Sequence, residues 1–291
     1  MTLRELLMVL ACMVLLFVVF MTIMPSGPGR DRGNLAKEMS QQRRFLNAMS
    51  SVTQVNDGKF MLPSILDANG QTLRGPAKAK DTSANIFSFL IWQRLLEPDS
   101  VVSSADRGNV EIDHDYQFES PSAAVDPANA LWDPSFRADF TGDEPGNLSF
   151  AHASVDVLVQ GLQGDPSVPL ISTRWPRIES VTKQDGSVRV GVNDPQSITF
   201  RFFKPANAWS GAVGMSDGSS SPHEHALTHI DADEYLVSQD LSGSSRSPYP
   251  GSIYHDILFY DEPDDPSNTN HFLGIFIEAG ATRDDFKPIW D

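Results

Sequence analysis

From Leu6 to Met24 the chain runs through nineteen residues of which only Thr22 is polar. As a helix, at about 1.5 Å per residue, that run spans roughly 28 Å, close to the ~30 Å hydrocarbon core of a bilayer. A segment this apolar either spans a membrane, is cut away, or is buried whole. Removal as a signal peptide calls for an apolar stretch of about 7–15 residues and a small-x-small cleavage site. Here Pro25-Ser26-Gly27-Pro28-Gly29 follows, with no Ala-x-Ala pattern. Burial as a core helix is the third reading. The anchor fits length and flanks best and predicts a transmembrane helix over residues 1–24.

Composition narrows what the rest can be. Hydrophobic residues make up 40% of 291, enough for a packed core. A net charge of −16 opposes wrapping a nucleic-acid backbone, which needs clustered Lys and Arg. The single cysteine, Cys12, lies inside the apolar run, so no disulfide can form within one chain.

Beyond the anchor, two prolines and three glycines between Pro25 and Asn34 read as a linker. Leu35, Met39, Leu46, Met49 and Val52 then recur near helical spacing and predict an amphipathic helix from about Leu35 to Val55, ended by Asn56-Asp57-Gly58. A third helix is predicted from Ser83, as N-cap, to Pro98, as stop, with a wide apolar face suited to the centre of a domain. Residues 98–146 are acidic, proline-bearing and aperiodic, the texture of an irregular surface segment. After them come short β-branched or aromatic runs bounded by turn residues: 147–159, 187–192, 197–203, 210–215, 235–238, 252–260 and 271–277. The expected architecture is α+β, with a mostly antiparallel sheet, over residues 35–291.

Three constellations could carry chemistry. Gly214-Met215-Ser216-Asp217-Gly218 has the G-x-S-x-G form of a nucleophile elbow, which needs a strand before the serine and a helix after it. Ser219 to His225 reads instead as a polar turn, so a strand-ending Asp-Gly turn is the better reading. His223, His225 and His229, with Glu224, Asp231 and Asp233 nearby, offer imidazole and carboxylate ligands of the kind zinc takes, but in no familiar zinc spacing. A polar loop with exposed histidines is expected there. Asp261, Glu262, Asp264 and Asp265, with Asn268 and Asn270, gather hard oxygen ligands suited to calcium, against the simpler reading of a solvated acidic turn.

Glu5 is the odd residue at the mouth of the anchor. A carboxylate there stays among headgroups or finds a partner. Its plain reading is a solvated helix start near the positive end of the helix dipole. The segment Met1-Thr2-Leu3-Arg4-Glu5-Leu6, however, resembles the mature N-terminus of type IV pilins and type II secretion pseudopilins, with Glu5 in the register of their fifth-position glutamate. Arg4 stands where the family has an apolar residue. Residues 41–63 and 207–220 are similar to later stretches of pilin-like proteins from planctomycete-type bacteria, although Ser219 and Ser220 replace the residues common there.

The resemblance implies a single-pass protein of the cytoplasmic membrane with a periplasmic C-terminal domain. It would act in assembly or scaffolding, for example as a minor pseudopilin, and would not be an enzyme. Its partners would be the membrane and pilin-like subunits, with the amine of Met1 and the carboxylate of Glu5 as assembly residues. Major pseudopilins also carry a calcium loop near the C-terminus, which bears on Asp261–Asp265. One signal runs the other way. Arg30, Arg32, Lys37, Arg43 and Arg44 follow the anchor, offset by Asp31 and Glu38, and the positive-inside rule alone would hold that side in the cytoplasm. Rival readings are a membrane-tethered hydrolase or metalloenzyme using His223, His225 and His229, and a simple anchored binding domain.

Overall fold

A computed structural model describes Met13 and residues 28–106, 108–160, 168–184, 187–194, 197–202, 208–231, 234–237 and 272–291. Met13 apart, the predicted anchor lies outside the described residues, as do Met1, Glu5, the 252–260 run and the 261–270 loop. Among the described residues no helix is long and apolar enough to cross a membrane.

The long helix α1 spans Pro28–Gln54. It starts inside the stretch predicted as a linker, so residues 28–34 are helical. Proline is tolerated at the first helical position, where its missing N–H has no intrahelical partner in any case. Each glycine costs about 1 kcal/mol, and the packed remainder of the helix offsets that cost. Two short helices follow, α2 (Pro63–Leu66) and α3 (Ser83–Trp92). The cap of α3 is Thr82, one residue before the predicted Ser83, and its hydroxyl accepts from Asn85 N at 3.4 Å. The helix stops at Trp92 rather than near Pro98, because Arg94 turns into the left-handed region at φ 59°. Ile86, Phe87, Leu90 and Ile91 are fully buried, so α3 is a central packing element as its apolar width implied.

Among the described residues nine strands form one sheet: β1 (Phe150–Ala153), β2 (Pro169–Thr173), β3 (Ile178–Gln184), β4 (Ser187–Val192), β5 (Ala208–Met215), β6 (Ser220–Asp231), β7 (Glu234–Val237), β8 (Leu273–Glu278) and β9 (Lys287–Ile289). Their order is β3-β4-β7-β6-β5-β2-β1-β8-β9, and every pairing is antiparallel. The α+β class with a mostly antiparallel sheet therefore holds. Two predicted strands do not. Residues 147–159 give only β1, and Val155–Gln160 forms a helical turn, α4, opened by Leu158 N donating to Ser154 O at 2.9 Å. Ile198–Arg201 is a 3-10 turn.

Helix α1 lies across β5, β6 and β2, while α3 packs on β8. Phe45 of α1 stacks on Phe87 of α3 at 4.8 Å, joining the two helices. Gly214 lets α1 come this close: a Cβ there would meet Ile171 Cγ2 at 2.7 Å and Leu46 Cδ1 at 3.1 Å. The segment 98–146 is irregular, as its sequence indicates, but only part of it lies at the surface. Trp132, Phe136, Phe140 and Val101 are buried in the main core. Trp132 is fixed there by an Nε1–H···Oδ1 bond to Asn85 at 3.1 Å. Its aromatic residues supply the third wall of the core, and irregular backbone carries no period that would reveal this in advance.

Candidate functional site

The most elaborate polar arrangement among the described residues is the seam between α1 and the sheet. Glu38, Gln41 and Gln42 fall three and four residues apart, on the buried side of α1. Glu38 is 1% exposed. Its two oxygens accept from Thr173 Oγ1 on β2 at 2.5 Å and from Ser103 Oγ at 2.9 Å. Each hydroxyl already accepts from a backbone amide, Thr173 from Ala212 N at 2.9 Å and Ser103 from Ala105 N at 3.2 Å. Their single protons are therefore free to point at the carboxylate. Gln42 Nε2 donates to Ala212 O at 3.0 Å, and its Oε1 accepts from Ser220 Oγ at 2.8 Å. Gln41 Nε2 donates to Asp99 O at 3.1 Å and Val102 O at 2.9 Å. Arg43, at the rim, donates to Ser220 O at 3.2 Å. Burial pushes the Glu38 carboxyl up to about 7, against the pull of the Thr173 and Ser103 hydroxyls, and nearby Asp106 adds to the rise. The seam ties one long helix to three separate stretches of the domain and holds a proton-binding group at its centre.

Two further buried clusters stitch the fold. Ser83 Oγ lies 2.6 Å from His152 Nε2. His152 Nδ1 sits 2.7 Å from Ala153 O, an acceptor only, so Nδ1 carries the proton and Nε2 accepts from Ser83. Ser83 Oγ in turn accepts from Phe276 N at 2.7 Å. Burial drives His152 down to about 4, so the ring is neutral at pH 7. The pair has the spacing of a nucleophile and its base, but both side chains are fully buried, and Phe87 and Phe276 flank the imidazole at 5.8 and 5.3 Å. A reacting carbonyl has no place beside it. The pair joins the start of α3 to β1 and β8.

The second cluster is ionic. Arg174, 2% exposed, holds Asp106 at 2.9 Å and Asp291 at 3.4 Å through Nη2, with its guanidinium 4.1 Å from the Phe140 ring centre. Asp106 also accepts from Gly108 N and from Ser149 Oγ. Burial pushes the Asp106 carboxyl up, against Arg174.

Of the residues singled out from sequence, Ser216 sits in the turn between β5 and β6. Gly218, at φ +82°, donates its N–H to Met215 O at 3.0 Å, and a strand follows instead of a helix. The Asp-Gly turn reading is the one observed, and nucleophile-elbow geometry is absent. His223, His225 and His229 lie on β6, which corrects the loop reading: the hairpin with β5 gives this polar run a ladder to join. His223 is half-buried, and that burial lowers its pKa. No group of three or more His, Cys, Asp or Glu that could hold a metal ion occurs among the described residues. The candidate calcium ligands Asp261, Glu262, Asp264 and Asp265 lie outside the described residues. A cleft of ≈ 930 Å³ opens between residues 76–79 and 278–290, lined in part by Lys78, Glu278, Asp284, Lys287 and Trp290. It brings in none of Ser216, His223 or Glu38, and Lys287 is paired with Glu278 at 3.0 Å.

The seam residues were not singled out from sequence. A signal was there: Glu38 and Gln42 lead by steps of four and three into Phe45, Met49 and Val52, the middle of the buried stripe. No protein-family profile, curated protein or solved structure matches the chain.

Proposed function

We propose that this chain is a pilin-like, single-pass membrane protein whose domain rides on one long helix and acts in assembly or scaffolding at the cell envelope. The observation that carries the reading is the helix and its seating. Helix α1 begins four residues after the apolar run ends at Met24, and its later turns are bonded across β2, β5 and β6 by Glu38 and Gln42. A helix held this way transmits force between an anchor and a domain, because pulling on it loads several hydrogen bonds and a packed apolar face together. The Glu5 register described above supplies the second support. Neither buried polar cluster offers a nucleophile to solvent, and Ser216 lies in a hairpin turn, so no arrangement in the described residues favours the hydrolase reading over this one.

The reading places residues 1–24 in the cytoplasmic membrane and the domain in the periplasm, against the charge bias of α1. A reporter enzyme active only in the periplasm, fused after Asp291, tests this. Activity in intact cells is the expected result. A stably expressed, membrane-bound and inactive fusion would overturn it.

A further inference from the structure

The exposed side of α1 is basic, and among the described residues no carboxylate answers it. The helix carries Arg30, Arg32, Lys37, Arg43 and Arg44 against Asp31 and Glu38, and Glu38 is buried in the seam. Arg32, Lys37, Arg43 and Arg44 are exposed, and among the described residues none lies within 4 Å of a carboxylate oxygen. At about 100° per residue, Lys37 and Arg44 fall on one flank of the exposed face and Arg32 and Arg43 on the other. Ala36, Ser40 and Asn47, all exposed, lie between them. The result is a shallow trough of small side chains between two basic rows.

The rest of the chain has the opposite sign. Without α1 its net charge is −19, and residues 98–146 alone hold eleven Asp and Glu against two Arg. Hydrogen bonds fold that segment back on itself. Asn109 Nδ2 donates to Gly142 O at 2.8 Å and Glu144 O at 3.3 Å, and Glu111 N donates to Gly146 O at 2.9 Å. Exposed Glu111 and Asp143 are thereby gathered near one another, with Asp113 and exposed Asp115 following close along the chain. Burial pushes the Asp113 carboxyl up first, and the like charges of Asp133 and Asp115 add to the rise.

We propose that the basic face of α1 is a docking surface for the acidic 98–146 surface of a second copy of this chain. The inference rests on the assembly reading above and names the partner and the contact. The two patches differ, so the contact is heterologous. Each copy offers its helix to one neighbour and its acidic surface to another, which generates a ring or an open filament. An anionic membrane is the other surface a basic helix could meet. It would repel the remaining −19, and Arg43 lies roughly 22 Å along the helix from Pro28. That is beyond the ~8–10 Å screening length from a membrane met at the helix start.

The test uses the full-length chain in zwitterionic vesicles, with donor and acceptor dyes reporting self-association by energy transfer. Lys37→Glu with Arg44→Glu, and separately Glu111→Lys with Asp115→Lys, should each weaken association about tenfold, since several exposed attractive pairs become repulsions. Mixing the two variants should restore it, because each then presents the complement of the other. Salt raised from about 0.05 to about 0.5 M should weaken the parent protein. If the parent associates but charge reversal and salt leave it unchanged, the contact lies elsewhere: this inference falls and the assembly reading stands. If the parent stays monomeric at every density, both fall. If anionic lipid added to the vesicles abolishes transfer in the parent, the helix prefers headgroups and the proposal is overturned.

Discussion

Replacing Glu38 by Gln probes the seam most sharply, because the substitution keeps shape and removes one titration. Folded, the carboxyl holds its proton up to about pH 7, against an ordinary value of 4.5. The unfolded chain releases that proton first, so between pH 4.5 and 7 the folded state binds more protons, and stability falls as pH rises. Each unit is worth about 1.4 kcal/mol, so the full loss is about 3 kcal/mol, complete above pH 7 and absent below pH 4.5. In Glu38→Gln this slope disappears. The amide brings a donor to face two hydroxyl protons, so one hydroxyl must turn, and Thr173 finds only Ala212 O at 3.5 Å as an alternative acceptor. That costs about 1 kcal/mol at all pH values. The variant should thus be slightly less stable than the parent at pH 4.5 and about 2 kcal/mol more stable at pH 8. Urea unfolding followed by tryptophan fluorescence, with parent and variant compared at each pH, isolates the Glu38 contribution from every other titrating group. A stability difference that stays flat from pH 4.5 to 8 would refute the argument that burial dominates at this site.

The other buried clusters give simpler expectations. Ser83→Ala leaves His152 Nε2 and Phe276 N without a partner and should cost about 2–3 kcal/mol. A loss below about 0.5 kcal/mol in the same assay would show that the pair is not structural. Arg174→Met leaves Asp106 and Asp291 facing each other uncompensated and should cost about 3–5 kcal/mol at pH 7. The loss should shrink at low pH, where the raised Asp106 carboxyl takes up its proton, and a loss independent of pH would contradict the ionic account.

How much of this was legible in the sequence depends on whether each element has a period. Ser187–Val192 and Leu273–Glu278 alternate or run apolar between turn residues, and they were found as strands. Val155–Gln160 imitates alternation, yet its buried positions Val155 and Leu158 are three apart, and the chain turns as a helix. β6 was hidden because Ser221, Pro222, His223 and Glu224 have no strand character of their own. Pairing of Val213 with Ser221 and Gly211 with His223 in the hairpin with β5 makes the strand. In residues 98–146 Trp132, Phe136 and Phe140 reach the core from irregular backbone, where apolar residues follow no spacing rule. The seam was half legible: polar residues on an otherwise apolar helical stripe announce a buried partner, but Thr173 and Ser103 are 135 and 65 residues away from Glu38 along the chain.

On the assembly reading proposed above, the apolar run and Glu5 serve assembly and not anchorage alone. Cys12, the only cysteine, lies inside that run, so a membrane-permeant thiol crosslinker reports contact between the N-terminal segments of neighbouring copies without further labelling. If Glu5 pairs with the free amine at the start of a neighbouring chain, the pair matters because both charges meet in low-dielectric surroundings. The measurement is the yield of Cys12 crosslinks in native membranes for the parent, Glu5→Ala and Arg4→Ala. The expected result is a parent that crosslinks, a Glu5→Ala variant that stays inserted and folded but loses most of the yield, and an Arg4→Ala variant close to the parent. An unchanged yield in Glu5→Ala, or a parent that gives no crosslink, would overturn the assembly reading.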